Sequence, residues 1–218
     1  MTWTDELWPL VVQLYQKKPE GIKPMYSRDT VRLALELHIP PQVIYQKMFA
    51  LRQQLPPSLE RFMETVGRNP KRLALTCKKL RALNGMGNAG EFYDDVKVNE
   101  TFELDFRPVN APTAQLTGRP LITPVMLVMI LDLYFQLIPT TMVAETPDVK
   151  ELAKLLDIRA EDVAYVLGIY LRCDPFVQTP EDCDDPLLEP CRKIWEKYAY
   201  DDPTVLSNMA RQLECYWK

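Results

Sequence analysis

The chain has 218 residues, of which 47% are apolar, so it can bury one large hydrophobic core or two smaller ones. Its net charge of −4 is unevenly divided, with 14 Lys and Arg against 7 Asp and Glu in residues 1–90, and 12 against 23 in residues 91–218. The basic first half can attract polyanions, whereas the acidic second half cannot easily attract them. The same asymmetry could also serve only solubility and attraction between the halves.

Five helical segments are predicted before residue 84. Apolar residues recur in them at helical spacing, and Thr4, Ser27 and Ser58 are placed to cap three of the segments. The segments are residues 4–18, 27–37, 41–55, 58–66 and 70–83, the last of which is a basic amphipathic helix. The glycine-rich residues 84–90 lack the following Lys-Ser/Thr of a phosphate-binding loop, so a turn is expected there.

Apolar and polar residues alternate over residues 92–106, which predicts a β-hairpin that turns at Asn99 and Glu100. Its exposed face is acidic, so a structural lid on the core is favoured over a wing beside nucleic acid. Residues 107–120 contain three prolines and are predicted to link the two halves of the chain.

The most apolar window is residues 121–139, which is long enough to suggest a membrane span. Asp132, Gln136 and two prolines favour a buried core helix instead, so no membrane contact is expected. Further helices are predicted at the end of the chain, separated by an acidic, proline-rich loop over residues 173–190. They are residues 147–156, 160–171, 187–200 and 203–217.

Residues 4–52 align without a gap on residues 123–171, at an offset of 119. Eight positions are identical, and the apolar pattern and loop lengths agree as well. They are Thr4, Leu14, Tyr15, Asp29, Leu33, Ala34, Leu37 and Ile39. The alignment indicates an internal duplication of a helical unit.

Each copy contains a helix, a tight turn and a second helix. In the first copy Ala34 is the small residue at the helix crossing, Leu37 closes the first helix, His38 occupies the turn and Ile39 fills the corner. The equivalents in the second copy are Ala153, Leu156, Asp157 and Ile158. This pattern resembles the helix-turn-helix superfamily, although neither copy has the family's glycine at the turn. The resemblance implies that the second helix of a copy can read DNA.

Nucleic-acid contacts are predicted only for the first copy. Its second helix offers amides and a tyrosine for base edges and phosphates, and lysines and arginines surround them. The predicted residues are Arg28, Arg32, Gln42, Tyr45, Gln46, Lys47, Arg52, Lys71, Arg72, Lys78 and Lys79, with Phe49 also outward and Arg81 in the same basic patch. In the second copy the outward positions include Glu161 and Asp162, which would repel phosphates. That copy is therefore expected to pack against the first copy or to serve assembly, as a homodimer or partner surface.

The sequence therefore predicts a mainly α protein of two pseudo-repeated helical units, each with a helix-turn-helix, plus one β-hairpin. Residues 1–90 are the basic unit, residues 91–120 the hairpin and linker, and residues 121–218 the acidic unit with a degenerate second helix-turn-helix. The predicted function is regulatory nucleic-acid binding, to DNA through the N-terminal half. The alternative is a non-enzymatic protein-interaction module in which the helix-turn-helix units only pack.

An enzyme is not expected, because the single histidine, His38, has no nucleophile or base partner in the pattern. The five cysteines include no CxxC pair, so neither a metal site nor a cofactor is predicted. Their odd number and the acidic N-terminus, which lacks a secretory n-region, favour reduced thiols in a cytoplasmic protein.

Overall fold

The computed structural model of the protein describes residues 3–84, 102–111, 114, 118–177 and 185–218. It divides into two compact units, Met1–Asn99 and Glu100–Lys218. The described residues form helices, turns and loops, which confirms the prediction of a mainly α protein.

The first unit is built around one short, largely buried helix, α1. A 3-10 turn, Asp5–Leu7, leads into α1, and a π-helical turn, Met63–Gly67, follows α4. The helices are α1 (Trp8–Gln16), α2 (Arg28–Leu37), α3 (Pro41–Ala50), α4 (Pro57–Phe62) and α5 (Pro70–Leu83). Helix α1 packs against α2, α3 and α5, and its Leu10, Val11 and Val12 are almost completely buried.

Local signals explain where these helices begin. The Ser27 hydroxyl accepts a hydrogen bond from the Thr30 N–H at the start of α2. The Asn69 side chain accepts from the N–H groups of Lys71 and Arg72 at the start of α5. Proline is among the first residues of α1, α3, α4 and α5, where a missing N–H costs nothing.

The second unit is arranged around the apolar helix α6. Its helices are α6 (Pro124–Gln136), α7 (Pro147–Leu156), α8 (Ala160–Cys173), α9 (Leu188–Tyr198) and α10 (Pro203–Glu214). Helix α6 packs against the other four, and the fully buried Tyr170 of α8 donates its hydroxyl hydrogen to the Leu127 carbonyl of α6 at 2.8 Å. The apolar helix α6 is therefore the core of the second unit. No described helix is both long and apolar enough to cross a bilayer.

The predicted β-hairpin is wrong where the structure describes it. Residues Phe102–Phe106 form a 3-10 helix, while residues 92–101 lie outside the described part of the chain, and no described residue is in a strand. Glu103 is buried and Leu104 is 38% exposed, the reverse of the predicted faces. The Phe106 ring packs 5.1 Å from the Tyr216 ring, and the segment lies against α6. Tertiary packing outweighs an alternation that a lone hairpin could not stabilise.

Candidate nucleic-acid interface

The turn between α2 and α3 has the geometry that closes a helix and redirects the chain. His38 has the left-handed conformation, with φ 53° and ψ 38°. The Ile39 N–H donates to the Ala34 carbonyl at 3.1 Å, and the Ile39 side chain is buried beneath the turn. This is a Schellman-type end, in which a left-handed residue normally is glycine. Histidine occupies the position here, so the missing glycine of the motif does not prevent the turn.

The outward face of α3 is exposed to solvent in the part of the chain that the structure describes. Gln42, Gln46 and Phe49 are exposed on it, and the half-buried Tyr45 packs edge-on to Phe49 at 5.0 Å between ring centres. The Gln42 amide donates to the Tyr26 hydroxyl at 3.2 Å. On the opposite face Ile44 and Met48 are fully buried, so the face that carries the amides is fixed in orientation.

The predicted cations near α3 differ in how far they are free to contact a ligand. Arg28 and Arg32 are exposed on α2, and exposed Arg52 donates through Nε to the Tyr15 hydroxyl at 3.2 Å. The Lys47 ammonium instead lies over two indole rings, 4.8 Å from the centre of Trp3 and 5.4 Å from that of Trp8. A cation over an aromatic face is held in place. Lys47 is thus tied to the start of α1, away from the Gln46 face.

The basic residues of α5 form a second group on a different helix. Lys71, Arg72, Lys78 and Lys79 are exposed, and Arg72 reaches the Thr65 carbonyl. Helix α5 packs against α1 and the π-helical turn, whereas α3 packs against α1 and α2. The structure therefore places the α3 amides and the α5 cations on separate helices that share α1 as a neighbour.

Arg81, predicted to belong to that patch, is neutralised by an ion pair. Its Nε and Nη2 donate to the Glu36 carboxylate of α2 at 2.5 and 3.2 Å, and its Nη1 donates to the Gln13 amide oxygen at 3.3 Å. Donation of these hydrogen bonds to the Glu36 carboxylate raises the pKa of the Arg81 guanidinium. Because the partners are 45 residues apart in sequence, no local pattern identifies the pair.

The second helix-turn-helix has the same turn but a covered second helix. Asp157 is left-handed, with φ 57°, and the Ile158 N–H donates to the Ala153 carbonyl at 3.0 Å. The expected outward position of Asp162 is wrong, because this residue is only 6% exposed and is held by Arg159 at 2.8 Å.

Tyr165 of α8 is covered from two sides. The Arg119 guanidinium lies 3.7 Å from its ring centre, and its hydroxyl donates to the Asp185 carboxylate. Burial and that carboxylate raise the pKa of Tyr165 to about 12. Helix α9 also packs against α8. The second helix of this unit therefore offers no open surface comparable to that of α3 in the described chain.

The left-handed turn gives a testable expectation at Asp157. Asp157→Val should lower the free energy of unfolding by about 1–2 kcal/mol, because a β-branched residue tolerates this conformation poorly. Asp157→Gly and Asp157→Asn, which accept it, should leave stability within about 0.5 kcal/mol. Urea denaturation followed by circular dichroism measures the three variants. Equal losses for valine and glycine would show that the side chain, not the backbone, matters here.

No group of three or more His, Cys, Asp or Glu side chains is placed to hold a metal ion in the described ranges. Cys77, Cys173, Cys191 and Cys215 are unpaired, and burial raises the pKa of Cys77 and of Cys173 to about 11. At neutral pH these two thiols are therefore protonated and weakly reactive.

No protein-family model, no curated protein and no solved structure matches this chain.

Proposed function

We propose that the first unit binds nucleic acid in a regulatory role, with α3 as the recognition helix. The observation that carries the proposal is the exposed α3 face, on which Gln42 and Gln46 stand beside a helix-turn-helix corner. Glutamine amides can pair with adenine edges in a major groove, which is wide enough for one α-helix. Arg28, Arg32 and Arg52 are exposed on neighbouring segments and would contact phosphates.

The remaining predicted residues have supporting roles in this proposal. Lys71, Arg72, Lys78 and Lys79 would contribute sequence-independent attraction from α5. Tyr45 would reach a phosphate, and Lys47 would act by fixing α3 against Trp3 and Trp8. The excess of cations in residues 1–90 favours an anionic partner for this unit over the second.

The second unit belongs to the proposal as a duplicated copy that serves assembly through a homodimer or protein partner. Helices α2 and α7 begin and end at positions 119 apart. Four backbone hydrogen bonds of each unit also fall on equivalent positions. Their donors are Ser27, Val31, Ile39 and Val43 in one unit and Thr146, Lys150, Ile158 and Asp162 in the other. A cytoplasmic location is proposed with it, on the evidence of unpaired, protonated thiols.

A protein-interaction module is the second candidate, and Phe49 is the observation that favours it. This side chain is 44% exposed near the C-terminal end of the α3 face and packs edge-on against Tyr45. Exposed aromatic residues of this kind are enriched at protein interfaces. In that case the α3 face would dock on a protein, and binding would depend on Phe49 more than on the surrounding arginines.

Gel-shift titration of the full chain with a pool of randomised DNA duplexes tests the proposal. Binding should weaken steeply as salt rises, since phosphate contacts release counterions. Gln46→Ala should reduce the preference for selected over random duplexes by about 1–3 kcal/mol, whereas Lys78→Ala should lower the salt slope by about 1 without changing that preference.

Matched controls are available on the same protein. Gln53→Ala removes an exposed amide just beyond α3, and Lys193→Ala removes an exposed cation from the acidic unit. Neither change should alter binding. If Gln46→Ala and Lys78→Ala behave alike, α3 does not read sequence. The interaction module is the correct function if DNA does not bind at low salt and a protein partner does. In that case Phe49→Ala should abolish binding of the protein partner.

A further inference from the structure

The first unit contains a groove of about 800 Å³ between α2 and α5, with α1 as its floor. The end of α1 lies beside the starts of both helices, because Lys17 pairs with Asp29 at 2.5 Å and the Gln16 amide donates to the Gly67 carbonyl at 2.8 Å. Residues of α2 and α5 thus form two walls of the groove beside α1. Pockets of this size accommodate small organic ligands.

The floor of the groove is apolar. Four core leucines present the edges of their side chains to it: Leu10, Leu14, Leu33 and Leu73. At the far end the Arg81–Glu36 ion pair joins α5 to α2 and closes the groove. A hydrocarbon body can displace water from such a floor, at about 0.8 kcal/mol for each CH₂ group that it buries.

The rim carries an excess of available positive charge. Two of its carboxylates, Asp29 and Glu36, are already paired. Lys18, Arg32 and Arg68 remain, with no ion pair to any described carboxylate, and only Glu20 opposes them on the rim. An anionic head group at this edge would be attracted by three cations, two of which can form bidentate hydrogen bonds with a carboxylate or phosphate.

The second unit has a smaller groove, of about 420 Å³, against α6 and α10, and its lining has no excess of cations. Asp132 and Glu214 line it, with Arg211 as the cation. A groove between helices of this kind therefore need not be positively charged. Of these two grooves, only that of the first unit has a cationic rim.

We propose that the groove of the first unit binds a single-chain amphipathic anion, with its hydrocarbon body over the leucine floor and its carboxylate or phosphate head between Arg32 and Arg68. The apolar floor and the uncompensated cationic rim together select this ligand class. A neutral chain would leave the rim cations without an anionic partner, and an anion without a chain would leave the apolar floor in contact with water. The site does not include the α3 face, but it shares Arg32 with the proposed DNA contacts, whereas Lys18 and Arg68 belong to the groove alone.

Calorimetric titration of the full chain with monomeric decyl phosphate tests the assignment. One saturable site is expected, and 1-decanol and inorganic phosphate should each bind at least about tenfold more weakly, because each supplies half of the recognition. The double variant Lys18→Gln/Arg68→Gln should weaken decyl phosphate about tenfold and leave decanol unchanged. Arg211→Gln, in the groove of the second unit, is the matched control and should have no effect.

Each result bears directly on the proposal. Equal affinity for decyl phosphate and decanol, no saturable site, or an equal loss in Arg211→Gln would overturn it. Binding to phosphatidylglycerol vesicles without binding to monomeric decyl phosphate would also overturn it, in favour of a membrane head group. Lys18 and Arg68 are outside the proposed DNA contacts, so Gln46→Ala should leave decyl phosphate binding intact, and failure of one proposal does not entail failure of the other.

Discussion

Leu37→Ala is expected to lower the free energy of unfolding by about 2–5 kcal/mol. Leu37 is the last residue of α2 and is completely buried, directly before the left-handed turn. Truncation removes three carbon atoms and leaves a cavity where α2, α3 and α1 meet, and rigid neighbours on three helices cannot close it. Urea unfolding of the full chain, followed by circular dichroism, measures the loss.

Leu75→Ala is the matched control for that change. Leu75 lies in the middle of α5 and is 55% exposed, so the same truncation there should change stability by no more than about 0.5 kcal/mol. The two variants remove the same atoms, and they differ chiefly in the burial of the leucine. Similar losses in the two variants would mean that Leu37 is not the packing centre of the corner.

The parts of the fold that the sequence predicts well are those that depend on neighbouring residues. Helix α5 spans 70–83 and helix α7 spans 147–156, as predicted, because each has a proline at its first position and an apolar stripe along it. The turn at His38 was predictable for a related reason: the apolar spacing on both sides requires one left-handed residue there.

The parts that it does not predict depend on distant residues. Alternation over 102–106 suggested a strand, but contact with α6 and Tyr216 decides the conformation. No local sequence pattern indicates that Glu36 neutralises Arg81. The same is true of Arg119 over the Tyr165 ring and of the groove beside α2. The outward positions of α3 were predictable from periodicity, whereas the availability of each cation was not.

Trp195→Ala is expected to have the largest effect in the second unit, about 3–5 kcal/mol of unfolding free energy. Trp195 is 5% exposed, and its ring lies 5.4 Å from Tyr134, 5.6 Å from Phe135 and 6.2 Å from Tyr170. It joins α9 to α6 and α8, so its loss should loosen the layer that covers α8. Phe176→Ala, at an aromatic residue that is 93% exposed, should change stability by no more than about 0.5 kcal/mol.

Trp195→Phe separates the packing of this ring from the cost of its indole nitrogen. The buried Nε1 of Trp195 has no hydrogen-bond partner among the described residues, and leaving such a donor unpaired costs about 1–3 kcal/mol. Phenylalanine keeps an aromatic surface and removes the donor, so the expected loss is only about 1 kcal/mol or less, although the side chain is smaller. Chemical denaturation of the phenylalanine and alanine variants side by side measures both terms. A loss in Trp195→Phe close to that in Trp195→Ala would show that the nitrogen is satisfied in solution and that the full indole volume is what holds α9 in place.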